Sequence, residues 1–291
     1  MFQSLLSLLL ASSLSFASFG GESAEPIFDD KTLLSVSKIP MQNEEFVQPG
    51  NMSGDSILAI DLNSQSTLYE KNSQARVPIA SLTKLMTAYL ILEESDPNAV
   101  VLVSNNAANA SGSRMELYSG EEILVKNLLY GLLIESGNDA ALALAEFNAG
   151  SESAFIQKMN KAAEHLGMGN THFANTTGLD ATGAYSTAHD LAILSTHLLQ
   201  DESIREIVKN SKTTVSSQNG TQHELLNTNI LIGQLGIKGL KTGKTPVAGE
   251  CLIALADGPE GHEVLSIVLG SENRFADTKV LLDWIYRAYI W

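Results

Sequence analysis

Pro78-Ile79-Ala80-Ser81-Leu82-Thr83-Lys84-Leu85-Met86-Thr87-Ala88 is the stretch whose reading decides the fold. Leu82, Leu85, Met86, Tyr89 and Leu90 recur at i, i+3, i+4, i+7 and i+8, one face of a helix that begins at Ser81. Lys84 follows Ser81 by three residues and so lies on its face, about one turn along. A hydroxyl is a weak nucleophile and needs a neighbouring base. A lysine amine can be that base only when neutral, a state favoured by burial or by nearby cations. Amide groups at the helix start can hold a developing oxyanion. Taken alone, the pattern is weak, because serine begins many helices and lysine decorates most of them.

Outward from this helix, Ile57–Leu62 and Thr67–Glu70 flank the polar turn Asn63-Ser64-Gln65-Ser66, which reads as a β-hairpin. The middle of the chain reads as helical, over 121–135, 138–147 and 152–166, the last stopped by Gly167. Thr187 and Asp190 resemble a capping box that opens a helix running to about residue 200. Later, Thr213–Ser216 and Thr221–Leu225 flank Asn219-Gly220, a tight-turn dipeptide. Ile237–Thr242, Cys251–Ala256 and Glu263–Leu269 read as further strands, and Lys279–Trp291 as an amphipathic helix. Short links between consecutive strands imply antiparallel pairing. The expectation is an α/β (α+β) fold: one mainly antiparallel sheet built from both ends of the chain, flanked by helices, with an inserted all-helical region and a cleft between them.

Two more motifs bear on that cleft. Ser136-Gly137-Asn138 falls at a turn between helices, where a hydroxyl can relay a proton and an amide can hold a backbone. Lys241-Thr242-Gly243 falls on a late strand. Alternation puts Lys241, Gly243 and Thr245 on one face, with Lys241 a cation for a substrate carboxylate and Thr245 a hydroxyl. Thr242 then points away, in tension with a binding role. Lys244 also points away, leaving its backbone N–H to face the cleft. Gly243 allows another backbone to come close. Each motif alone is common; a turn with a helix cap, or a plain strand, is the bland reading.

The chain has 291 residues, 44% of them hydrophobic and 18% charged, with a net charge of −15. That composition supports a sizeable core and excludes disorder over most of the length. The negative field disfavours nucleic acid as a partner. The single cysteine, Cys251, sits in an apolar run and reads as a small core residue. No paired-cysteine or His-Glu-x-x-His spacing occurs, so no metal or other cofactor is expected. Residues 1–17 read as an export signal, with an apolar run from Leu5 to Leu14 and a small-x-small site at Ser15-Phe16-Ala17, though without a basic residue in front. Residues 18–54 read as a polar leader and 55–291 as the domain. No transmembrane span is expected in the mature chain.

Ser81, Ser136 and Lys241 keep the order and wide spacing of S-x-x-K, S-x-N and K-T-G in penicillin-binding proteins and the related β-lactamases. Further segments narrow the resemblance: 78–88 above, Phe173-Ala174-Asn175-Thr176-Thr177-Gly178-Leu179, Ser186-Thr187-Ala188-His189-Asp190-Leu191-Ala192, Gly239-Leu240-Lys241-Thr242-Gly243 and Leu281-Leu282-Asp283-Trp284. Over about residues 55–291 the chain resembles the low-molecular-mass D-alanyl-D-alanine carboxypeptidases, peptidase family S11. The resemblance implies a β-lactamase/transpeptidase-like fold. It implies an acyl-enzyme on Ser81 with Lys84 as general base, Ser136 as proton shuttle and Asn138 orienting. It further implies that Lys241, Thr242 and Thr245 bind the carboxylate side of the substrate, and that the N–H groups of Ser81 and Lys244 hold the oxyanion beside Gly243. The implied partners are peptidoglycan peptides ending in D-Ala-D-Ala, with β-lactams as acylating inhibitors, in the periplasm or extracellular envelope. Arg274 is a second candidate carboxylate partner, with a structural salt bridge as its plainer role. Many relatives carry a C-terminal β-domain after this point, and the aromatic stretch ending at Trp291 is expected to pack on the sheet rather than touch membrane.

Three alternatives stay open on sequence. Short relatives include D,D-endopeptidases of peptidoglycan cross-links. A class A-like β-lactamase would add Glu-x-x-Leu-Asn after Ser136, where Asn175-Thr176-Thr177-Gly178-Leu179-Asp180 supplies no such glutamate. A non-catalytic peptidoglycan- or β-lactam-binding protein would not need Ser81, Lys84 and Ser136 together.

Overall fold

A computed structural model describes residues 38–43 and 48–291. The expected export signal, residues 1–17, lies outside the described residues.

Five strands form the central sheet: β1 (Ser56–Asp61), β2 (Thr67–Lys71), β3 (Ile237–Thr245), β4 (Gly249–Asp257) and β5 (Glu263–Ser271). Their order is β2-β1-β5-β4-β3 and every pairing is antiparallel. Both ends of the chain thus meet in one sheet, as expected, with Ile253 paired to Ile267 and to Lys241. The central strands are buried on both faces, which is why they read as continuous apolar runs rather than alternating ones.

Five longer helices cover the two faces: α1 (Lys84–Glu94), α2 (Asn138–Ala149), α3 (Glu152–His165), α4 (Ala188–Leu198) and α5 (Arg274–Ala288). Leu58, Ile253, Leu255, Leu265 and Ile267 join the core shared with α1 to α4. Ile57, Ala59, Leu252, Ala254 and Val268 pack on the other face against Leu281, Leu282, Trp284 and Ile285 of α5. Trp284 meets Tyr69 edge-on at 5.8 Å and Tyr289 at 6.0 Å. Trp291 is buried against His262, their rings 5.2 Å apart, so the aromatic end of the chain packs on the domain. No helix among the described residues is long and apolar enough to cross a membrane.

Local signals set several boundaries. Thr187 Oγ1 accepts the Asp190 N–H at 3.0 Å and caps α4. The reciprocal half of the expected capping box is absent, because the Asp190 carboxylate serves Asn170 and Thr171 instead. Gly167 takes φ 78 beyond α3.

Other expectations change. The segment 121–135 is not one helix. Glu122–Leu124 pairs with Val100–Leu102, a short helix spans Val125–Tyr130, and a π-helical turn spans Gly131–Glu135. The hairpin at Asn219-Gly220 forms, as Lys212–Ser216 with Gln222–Leu226, but as a separate ribbon rather than part of the main sheet. Its alternation explains this: His223 and Leu225 face inward and Gln222, Glu224 and Leu226 face solvent, so it can bury only one face. The described part of the polar leader is built into the domain. Met41–Gln42 pairs with Tyr289–Ile290, and the buried Asp277 carboxylate accepts the N–H groups of Ser53 and Gly54 at 3.2 and 2.9 Å.

Candidate active site

The serine turn starts from an unusual backbone. Ala80 sits in the left-handed region at φ 48, a tight helical turn spans Ala80–Thr83, and α1 begins at Lys84. A non-glycine residue held there costs about 1–3 kcal/mol and persists only where its surroundings enforce it. Gly178 supplies that enforcement: a Cβ on it would stand 2.0 Å from the Ala80 carbonyl oxygen and 2.8 Å from the Ser81 nitrogen.

Lys84 is fully buried. Its Nζ donates to Ser81 Oγ at 3.0 Å and to the Thr177 carbonyl at 2.6 Å. Ser81 is half-buried, and its hydroxyl lies 3.4 Å from the same carbonyl. Burial holds the Lys84 pKa well below the usual lysine value; the charge of Lys241 lowers it further, and the Asp139 carboxylate opposes both. The amine can therefore lose its proton far more readily than a surface lysine.

Ser136 follows the π-helical turn in the left-handed region, φ 62 and ψ 33. Asn138 opens α2. Its N–H donates to the Ser113 carbonyl at 2.7 Å and its Nδ2 to the Ser111 carbonyl at 2.5 Å, while Oδ1 is buried with no partner among the described residues. The next residue, Asp139, is fully buried and accepts the N–H groups of Met115, Leu117 and Ala140 at 3.0, 3.1 and 2.9 Å. The loop 111–117 and the Ser-Gly-Asn turn thus form one hydrogen-bonded unit.

β3 is the edge strand beside the serine turn. A Cβ on Gly243 would stand 2.9 Å from the Ser81 nitrogen, so only glycine lets the strand come this close. Lys241 is buried, and burial followed by the Arg274 charge brings its pKa down to about 7. The Thr242 hydroxyl lies 2.6 Å from that of Thr228, whose N–H donates to the Ile134 carbonyl at 3.2 Å, two residues before Ser136. The tension over Thr242 resolves here: its hydroxyl joins the strand to the Ser136 turn. Lys244 pairs across strands with Glu250 at 2.9 Å, which turns its side chain away as alternation required.

Two side chains near this strand have partners that the sequence did not reveal. Thr245 Oγ1 donates to Asp180 Oδ1 at 2.5 Å and accepts the Ala248 N–H at 3.0 Å. A hydroxyl has one proton, and in this structure that of Thr245 is given to Asp180. Arg274 makes no structural salt bridge among the described residues; its Nη1 donates to the Gly243 carbonyl at 3.0 Å, which places the cation beside the Lys-Thr-Gly strand. Cys251, paired in register with Gly243, is buried, and burial pushes its thiol up to about 11, so it is inert core.

A cavity of ≈ 320 Å³ opens next to the serine turn, lined by Pro78, Ile79, Leu179, Asp180 and Val247 among others. Sequence reasoning missed the Thr177 carbonyl, Thr228, Asp139 and Asp180. Asp139 directly follows the Ser-Gly-Asn motif and was within reach. Thr228 lies in no motif, and only its position across from Thr242 reveals it.

A family model described as D-alanyl-D-alanine carboxypeptidase matches residues 42–273. The chain is 40% identical over 244 residues to the D-alanyl-D-alanine carboxypeptidase DacF of Bacillus subtilis, covering 80% of this chain and 62% of that protein. It is 37% identical over 259 residues to DacA of Escherichia coli, covering 82% and 62%. It thus spans less than two thirds of the length of these relatives. Among solved structures, the Streptomyces K15 DD-transpeptidase aligns with a TM-score of 0.76 at 31% identity, covering 82% of this chain and 99% of that one. The expected transpeptidase-like fold is therefore present. Motif order, serine–lysine geometry and these likenesses agree, and the chain belongs to the D-alanyl-D-alanine carboxypeptidase family, peptidase family S11.

Proposed function

We propose that the protein is a serine-type D-Ala-D-Ala carboxypeptidase acting on peptidoglycan stem peptides outside the cytoplasmic membrane. The observation that carries this reading is the buried Lys84 amine 3.0 Å from the Ser81 hydroxyl. Neutral Lys84 takes the Ser81 proton, and Ser81 Oγ attacks the carbonyl of the penultimate D-Ala. The N–H groups of Ser81 and Lys244 hold the oxyanion. The C–N bond breaks, Ser136 passes a proton to the leaving amine, and D-Ala departs. Water then hydrolyses the ester, with Lys84 again as base. Asn138 Oδ1, buried and without a partner among the described residues, accepts a substrate N–H. Lys241, Thr242 and Arg274 receive the terminal carboxylate. β-Lactams acylate Ser81, and their release is slow, since Asp139 is committed to three backbone N–H groups and offers no base for a deacylating water.

The test is mass analysis of products from a purified pentapeptide and from a cross-linked muropeptide dimer. Loss of one alanine from the pentapeptide, abolished in Ser81→Ala, is the expected result. Splitting of the dimer without alanine loss would assign the protein to the endopeptidases. Rapid multiple turnover of a chromogenic cephalosporin in stopped flow would assign it to the β-lactamases.

A further inference from the structure

Glu121 and His223 form a buried pair that the reaction above does not use. His223 Nε2 lies 2.6 Å from Glu121 Oε1. The same carboxylate takes the Ser217 hydroxyl proton and, at Oε2, the Tyr118 N–H at 2.8 Å. His223 Nδ1 lies 2.9 Å from the Met115 carbonyl oxygen. A carbonyl only accepts, so Nδ1 carries a hydrogen and donates it. A buried pair of this kind is a weak source of stability beside apolar side chains of like volume. What it fixes is Met115.

Met115 covers the Ser-Gly-Asn turn. Its N–H donates to Asp139 Oδ1 at 3.0 Å, so its backbone is tied at both N–H and carbonyl. Its side chain fills the space where a Cβ on Gly131 would stand, and a Cβ on Gly137 would come within 3.3 Å of its nitrogen. The Gly137 N–H donates to the Gly131 carbonyl at 3.0 Å and closes the turn that carries Ser136 in the left-handed region. Ser136 thus sits between two glycines that Met115 covers. The ribbon that carries His223 also reaches the turn from the other side. The Leu226 N–H donates to Glu135 Oε2 at 2.7 Å, and the Thr228 N–H to the Ile134 carbonyl at 3.2 Å. The segment from His223 to Thr228 therefore braces the turn both over Ser136 and just before it.

We infer that His223 is a positioning residue for the proton transfer at Ser136. Its Nδ1–H holds the Met115 carbonyl, Met115 holds the turn that aims the Ser136 hydroxyl, and Glu121 fixes the imidazole ring. The inference rests on the carboxypeptidase reading above, in which Ser136 passes to the leaving amine the proton that Lys84 took from Ser81. It gives the ribbon, which lies outside the main sheet, a part in the reaction.

The experiment compares kcat/KM on an acetylated peptide ending in D-Ala-D-Ala with that on its thioester counterpart, in which D-thiolactate replaces the last D-Ala. An amine must be protonated to leave, whereas a thiolate leaves without a proton, so the amide-to-thioester ratio reports the aim of Ser136. Because it is a ratio, loss of folded enzyme cancels. An asparagine amide reaches the place of the histidine Nδ1, and a glutamine amide that of Nε2. His223→Gln should keep the bond to Glu121, lose the bond to Met115, and lower the ratio about tenfold, a modest misplacement of a reacting group. His223→Asn should keep the Met115 bond and hold the ratio within about twofold of wild type. Thermal melts should rank the two variants the other way, because His223→Asn leaves the buried Glu121 carboxylate one partner short. A ratio unchanged in His223→Gln, or lowered equally in both variants, would overturn the positioning role while leaving the carboxypeptidase reading intact. A wild type that cleaves neither substrate would overturn both.

Discussion

The backbone of Gly178 passes so close to Ala80 that any side chain at 178 would meet the Ala80 carbonyl oxygen at 2.0 Å. Gly178 also takes φ 80, where side-chain-bearing residues are strained. A loop far along the chain thereby presses the turn that aims Ser81. Gly178→Ala should displace that turn, lowering stability by about 2–4 kcal/mol. Acylation by a fluorescent penicillin should fall at least about 100-fold, the scale of a misplaced reacting group. A thermal melt and a labelling time course measure the two effects; a normal labelling rate would show that the close approach does not position the serine.

Activity should follow a bell-shaped pH profile set by two lysines with opposite needs. Lys84 works when neutral, so kcat/KM rises with pH as its lowered pKa is passed. Lys241 works when charged, so kcat/KM falls again as pH passes its value of about 7. Binding of the carboxylate favours the charged form and should move this alkaline limb upward in kcat. A substrate with an amidated C-terminus should lose the alkaline limb, since it no longer needs the cation. Profiles for the acid and amide substrates that coincide on the alkaline side would remove Lys241 from carboxylate binding.

Lys84→Met should abolish acylation yet stabilise the fold. The folded state binds the Lys84 proton less tightly than the unfolded state, so this lysine costs stability in full at pH values below its lowered pKa. The cost is relieved as pH rises toward the ordinary lysine value, because the unfolded chain alone then carries the extra proton. A methionine of similar length removes that cost, by about 1–3 kcal/mol near neutral pH. Urea unfolding at several pH values measures it, and the gain over wild type should narrow as pH rises. A destabilised Lys84→Met would mean that the bonds to Thr177 and Ser81 outweigh the desolvation of the amine.

Asp139→Asn separates two effects of one carboxylate. The carboxamide keeps one acceptor oxygen, so one of the Met115 and Leu117 N–H groups loses its partner in a buried site, at about 1–3 kcal/mol. The negative charge that favours protonated Lys84 also disappears. The acid limb of kcat/KM should therefore move to lower pH, a shift that simple loosening of the 111–117 loop would not produce. An unmoved limb would show that Asp139 acts through structure alone.

Much of the fold was legible because its signals are local. Apolar spacing marks α1, a capping threonine marks α4, and unbroken apolar runs mark the doubly covered strands β4 and β5. The segment 121–135 misled because its apolar residues suit a helix, while Glu122–Leu124 is drawn into pairing with Val100–Leu102, a partner outside the local window. The ribbon at Asn219-Gly220 carried a correct turn signal but nothing to say which sheet it would join.

By itself the sequence determined that Ser81 and Lys84 share one helical face a turn apart, and that three motifs follow in a fixed order. Those are properties of spacing along the backbone. Tertiary packing alone decided that the Lys84 amine is buried beside another cation, that Thr245 gives its proton to Asp180, and that Arg274 turns to Gly243. Desolvation and hydrogen-bond choice depend on which distant segments arrive at the same point, and periodicity carries no record of that meeting.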